Sequence, residues 1–180
     1  AQAQSERLPD NPATVAISHA VSLVVKPQTK NVRCPRDGEL GSSYVDALES
    51  VDDVGKSIAL LSYTWAYQLM HVVQALNRWV ASKGGNPKRA YIWICSLCLN
   101  QHRIVKALSP EELAAEFGPR VISIGQLLPM LDPWRKPIYM SRAWCLFELY
   151  TAIQKKVKTN IILTEKQEAE FLKAIATEGY

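Results

Sequence analysis

Apolar positions along this chain switch between two spacings. Short apolar runs of strand length, at Ser57–Tyr63, Ala90–Leu97, Leu127–Leu131 and Asn160–Leu163, alternate with longer stretches in which apolar residues recur every three or four positions. The first pattern reads as buried strand and the second as amphipathic helix. Leu69, Val72, Val73, Leu76 and Val80 mark one face of a helix that ends near the Gly84-Gly85 pair. Ser109-Pro110-Glu111-Glu112 opens another with three agreeing signals: a Ser cap, Pro at the first helical position, and Glu to complete a capping box. Gly118-Pro119 is expected to interrupt that helix, with a second amphipathic piece running from Arg120 towards Gln126. Thr164, with Gln167 three residues on, caps a last helix carrying Phe171, Leu172 and Ile175. Pro129 weakens the third run as a strand.

This alternation predicts an α/β fold, a parallel sheet covered by helices on both faces. Residues 1–43 read as an extended N-terminal arm, polar and proline-punctuated over 1–14, with an edge strand at Val21–Lys26 that Pro27 stops. Residues 44–180 form the α/β domain, entered through a short helix at Tyr44–Val51.

At 180 residues the chain fits one domain, and its 48% hydrophobic content supplies a core and argues against global disorder. The +4 net charge is scattered, densest at Lys155, Lys156 and Lys158, with no basic face interleaved with aromatics, so nucleic acid is not an expected partner. No apolar run approaches the ~20 residues of a membrane span. Ala1-Gln-Ala-Gln-Ser5 is not a signal peptide. The four cysteines read as thiols of a reducing compartment, cytoplasm or an organelle interior after presequence removal, rather than a secreted disulfide scaffold.

The stretch from Ser141 to Leu149, Ser-Arg-Ala-Trp-Cys-Leu-Phe-Glu-Leu, holds the most chemistry. On a helix at ~100° per residue, Ala143, Leu146, Phe147, Leu149, Tyr150 and Ile153 fall on one side, and Trp144, Glu148, Thr151 and Lys155 on the other. The apolar side is expected to seek the core, so Trp144 and Glu148 either lie under another element or line a site. A solvated helix-surface glutamate is the plain alternative. Ligands of an open parallel sheet bind beyond the carboxyl ends of its strands. That rule selects Ser62-Tyr63-Thr64-Trp65, Cys98–His102, Asp132-Pro133-Trp134 and the start of the Glu148 helix. Trp65 and Trp134 read as ring-stacking platforms or as packing anchors. Neither a dinucleotide fingerprint nor a phosphate loop is present. Cys95 and Cys98, on the expected strand, would point to opposite faces, and no second cysteine pair completes a set of ligands, so no metal is expected.

The segment Ser141–Leu149 resembles the signature helix of TIR (Toll/interleukin-1 receptor/resistance) domains, above all the plant type. Ala59-Leu-Leu-Ser-Tyr-Thr-Trp65 and Tyr91-Ile-Trp-Ile-Cys-Ser-Leu-Cys-Leu-Asn-Gln101 are similar to two motifs of the related fungal heterokaryon-incompatibility domains, although Cys95 stands where an Asp is usual. TIR-like proteins of algae and other protists also join such segments through a Leu-Asp-Pro-Trp loop like Leu131–Trp134. The resemblance covers residues 57–175 and implies a flavodoxin-like parallel sheet of four to five strands. It also implies NAD glycohydrolysis, with NAD as substrate rather than cofactor. Glu148 would be the catalytic carboxylate, and Ser62, Tyr63, Trp65, Trp134, Ser141 and Trp144 would bind the substrate. The rival expectation is a non-catalytic TIR-like interaction module or accessory subunit, acting through protein partners or self-association.

Overall fold

The computed structural model describes residues 11–104 and 109–179; the first ten residues of the expected arm lie outside it. A helical segment comes first: α1 (Ile17–Ala20), a π turn (Val21–Val25) and α2 (Lys26–Thr29) in unbroken succession. The α/β body follows as β1 (Ala59–Ser62), α3 (Leu69–Ser82), β2 (Ile92–Trp93), α4 (Cys95–Cys98), α5 (Pro110–Ile124), β3 (Gln126–Pro129), α6 (Ala143–Gln154), β4 (Lys158–Thr159) and α7 (Glu165–Glu178).

The four strands are all parallel, in the order β2-β1-β3-β4. Alternation along the interior strands sends Ala59, Leu61 and Leu128 to one face and Leu60 and Leu127 to the other. Leu60 and Leu127 pack with Val121 of α5 and Ala152 of α6, with Trp93, Ile124 and Leu149 at the edges. On the opposite face Val72 and Ala75 of α3 join Met130, Ile162, Tyr63, Tyr67, Ile17 and Val21. Arg78 ties α3 to Glu165 and Glu168 of α7, so those two helices share a layer. Helices thus cover a parallel sheet on both faces, the flavodoxin-like α/β architecture.

Several elements differ from expectation. Val21–Lys26 is helical, not an edge strand. Ile17, Val21, Val25 and Thr29 are all buried at a spacing of four. A π turn rotates less per residue than an α turn, which holds that spacing on one face. Lys26 N–H bonds Val21 O across the π turn just before Pro27, which has no N–H to continue the ladder. β-branched composition favours strands only where a sheet edge is there to pack against, and tertiary burial overrode it here. The expected helix at Tyr44–Val51 is one 3-10 turn, Val45–Ala47.

α5 runs through Gly118-Pro119 without a break to a left-handed Gly125 cap. Pro119 faces solvent, where water can serve the backbone carbonyl it leaves unpaired, while Phe117 and Val121 anchor the buried side. Pro129 closes an interior strand after all. Its carbonyl accepts from Ile162 N at 2.9 Å, so its missing N–H faces only β4, the short edge strand. β4 itself lies two residues before the expected Asn160–Leu163 run, and pairing resumes in a single bridge between Met130 and Ile162.

Candidate functional site

The carboxyl end of β1, the loop Tyr63–Tyr67 and the first turns of α6 meet at one edge of the sheet. α6 is turned opposite to expectation. Cys145, Glu148, Thr151 and Ala152 are buried, while Leu146, Tyr150 and Ile153 face solvent. The small Cys145 and Ala152 let the helix lie close on the sheet, and Ala152 packs directly over Leu60 and Leu127. Trp144 is covered by α5: its ring meets Phe117 edge-on, centroids 3.8 Å apart, and Phe117 in turn meets Trp93 at 5.7 Å.

Glu148 is 2% exposed. Trp144 Nε1, one turn back on the helix, donates to its Oε1 at 3.0 Å, and its Oε2 shares a hydrogen bond with Ser62 Oγ at the end of β1. Ser62 Oγ lies 2.8 Å from Tyr139 OH, which donates to the carbonyl of Cys145 at 2.9 Å. Burial pushes the Glu148 carboxyl up to about 8, although the Ser62 and Trp144 bonds oppose the rise. With the carboxyl protonated, a one-way chain runs Glu148 to Ser62 to Tyr139 to the Cys145 carbonyl, and every donor in it has an acceptor.

A second buried network adjoins the first. Tyr63 OH donates to Ser96 Oγ at 2.7 Å, Cys95 Sγ lies 3.6 Å from that phenol, and Cys145 Sγ donates to the Tyr63 carbonyl at 3.3 Å. Burial, reinforced by the nearby Glu148, pushes both thiols up to about 12, so neither is a thiolate nucleophile at neutral pH.

Beside these networks opens a cavity of about 190 Å³, walled by Tyr63, Trp65, Cys95, Trp144 and Cys145 with Arg142 at its rim. Glu148 is not part of that wall. Ligand pockets span about 300–1,000 Å³, so this one suits a single ring system and not a dinucleotide.

The expected site residues therefore separate. Ser62, Trp144 and Glu148 form one buried hydrogen-bonded cluster. Tyr63 and Trp65 line the cavity next to it. Trp134 belongs elsewhere: it packs edge-on against Phe171 of α7 at 5.1 Å, under the Arg135 guanidinium 4.6 Å from its ring. Ser141 is exposed, and its hydroxyl closes a 3-10 turn on the Ile138 carbonyl at 2.7 Å. Tyr139 was missed. It is a lone tyrosine in the 3-10 turn Ile138–Ser141, and only the fold brings its hydroxyl to Ser62.

Cys95 and Cys98 sit in the single turn α4 rather than in a strand, because β2 stops at Trp93. Cys98 Sγ accepts from Ile94 N at 3.5 Å, and His102 is bound to Thr29 Oγ1 of α2 at 2.8 Å. Among the described residues no group of three His, Cys, Asp or Glu side chains is placed to hold a metal ion.

Fold and site together define a flavodoxin-like α/β domain with a buried carboxyl network beside a small aromatic cavity. Comparison with protein-family models, curated proteins and solved structures finds no match.

Proposed function

We propose that the chain works as a TIR-like interaction module in which Glu148 is an internal brace between α6 and β1. The supporting observation is the state of that carboxyl: almost wholly buried, both oxygens engaged, and absent from the wall of the neighbouring cavity. A catalytic carboxylate must reach the reacting carbon and be ionised, whereas a brace needs only satisfied hydrogen bonds. The same rotation of α6 that seals Glu148 turns its apolar residues outward, as a contact surface requires. Free thiols suit such work in a reducing compartment, cytoplasm or organelle interior. No described helix is long and apolar enough to cross a membrane. Purified protein incubated with NAD is expected to release no nicotinamide above buffer. Release that disappears in Glu148→Gln overturns the proposal.

One observation favours the second reading, NAD glycohydrolysis. Trp144 is shared by the cavity wall and the Glu148 hydrogen bond, so the carboxyl lies one side chain away from the cavity. The nicotinamide of NAD carries a positive charge and leaves neutral, so a single carboxylate suffices without a general acid to protonate the leaving group. Ionised Glu148 would stabilise the cation developing on the ribose, which water then captures. Because the working form is the ionised one, this reading requires turnover that rises with pH towards about 8.

A further inference from the structure

The small cavity beside the buried carboxyl network holds more than aromatic walls. Its three rings have their polar atoms engaged elsewhere: Tyr63 OH donates to Ser96, Trp144 Nε1 donates to Glu148, and the Trp65 indole bonds the Cys95 sulfur. They present ring surface and leave polar recognition to other groups. Thr64 Oγ1 accepts from Ala66 N at 3.4 Å. Gln101, 3% exposed, directs both protons of Nε2 onto the Cys95 and Leu99 carbonyls, at 2.9 and 3.1 Å. That fixes its amide and leaves Oε1 without a partner. Among the described residues Trp79 Nε1 is the one side-chain nitrogen or oxygen sealed off unpaired, so Gln101 Oε1 keeps surface open on the cavity it lines. Charge enters from one side. Among the described residues Arg142 is the only charged side chain of the wall, and its guanidinium has no hydrogen-bond or ion-pair partner. It acts on the interior, since it opposes the burial that raises the Cys145 thiol. Helix α6 begins at the same place, with no side-chain cap and no acidic residue in its first turn. The positive end of its dipole therefore adds to Arg142.

We propose that this cavity binds a single-ring aromatic carboxylate that also carries a hydroxyl or ring N–H. The ring lies against Trp65 and Trp144, the carboxylate meets Arg142 and the first turn of α6, and the donor reaches Gln101 Oε1. A volume of about 190 Å³ admits one ring and excludes a nucleotide. An anion is favoured over a neutral or cationic ring because the wall holds a guanidinium and, among the described residues, no carboxylate. A ring without a donor would cover the Gln101 oxygen and leave it unpaired. An aliphatic acid would forgo the contacts of a π system with the indoles and with the Cys95 and Cys145 sulfurs. The assignment goes beyond the interaction-module reading, to which it adds a small-molecule ligand, and it makes no use of Glu148.

Isothermal titration of the whole chain with para- and meta-hydroxybenzoate tests the assignment. At least one isomer is expected to bind saturably at a single site and to quench tryptophan fluorescence. Removing the ring hydroxyl, as in benzoate, or the charge, as in the matching hydroxybenzamide, should each weaken binding about tenfold. Arg142→Met, at an exposed position, should weaken the acid about tenfold and leave the amide unchanged, a difference that a merely structural arginine would not produce. Failure of both isomers to bind below about 10 mM overturns the proposal. So does benzoate or the amide held as tightly as the hydroxy acid, or an Arg142→Met variant that treats acid and amide alike. Nicotinamide, which has no negative charge, should bind no better than the amide. Nicotinamide that outcompetes the acid makes the cavity a nicotinamide pocket and sinks this assignment. Nicotinamide release from NAD, with the acid still preferred in the cavity, sinks the module reading alone.

Discussion

At the scale of single residues, Glu148 carries the clearest predictions. Burial raises its carboxyl from the ordinary 4.5 to about 8. Between those values the native chain holds a proton that the unfolded chain has released, so this group's contribution to stability falls as pH rises through that window. Glu148→Gln keeps the side chain's shape without its titration. Urea unfolding at about pH 5 and about pH 8 should show a smaller difference in the variant than in the unaltered chain, and an equal difference refutes the raised carboxyl. Glu148→Ala leaves the buried Trp144 donor unserved and the Ser62 hydroxyl without its carboxyl partner, and should cost roughly 1–3 kcal/mol. Glu148 and Trp144 were legible as a pair because spacing four on a helix makes neighbours. Ser62 and Tyr139 complete the cluster from 86 and 9 positions away, and no local pattern marks the tyrosine.

At the scale of elements, α5 and α6 hold each other. Phe117 is fully buried between Trp93 and Trp144. Phe117→Ala should cost about 3–5 kcal/mol by urea titration, and should shift Trp fluorescence as both indoles lose their partner. The Ser109–Glu112 capping box, read from four letters, is present with both bonds formed, yet Ser109→Ala should cost only about 1 kcal/mol. A reversed order of these two losses would mean that α5 is held by its cap rather than by its packing. Caps were legible because their bonds span three residues. The continuity of α5 through Pro119 and the outward turn of α6 were not, since both depend on what lies across the helix.

At the scale of the whole molecule, the segment 15–29 is part of the body rather than an arm. Ile17 N bonds the Tyr67 carbonyl, Leu69 N bonds the Val15 carbonyl, and Ile17 and Val21 pack with Tyr63 and Tyr67 in the larger core cluster. Ile17→Ala should lower the entire unfolding transition by about 2–5 kcal/mol in one cooperative step. A separate early transition, with the sheet unaffected, would show that the segment is a detachable strap.

Taken alone, the amino-acid order determined the alternation of strands and helices, the parallel sheet, the helix caps and the Trp144–Glu148 pairing. Those features arise from contacts within a few residues and from a period that either matches a helix or a strand. Tertiary packing alone decided which side of α6 faces inward, that Val21–Lys26 coils rather than extends, and that Trp134 stays away from the carboxyl. Each of those outcomes depends on the shape and size of groups distant in the chain, above all on how closely Cys145 and Ala152 let α6 approach the sheet.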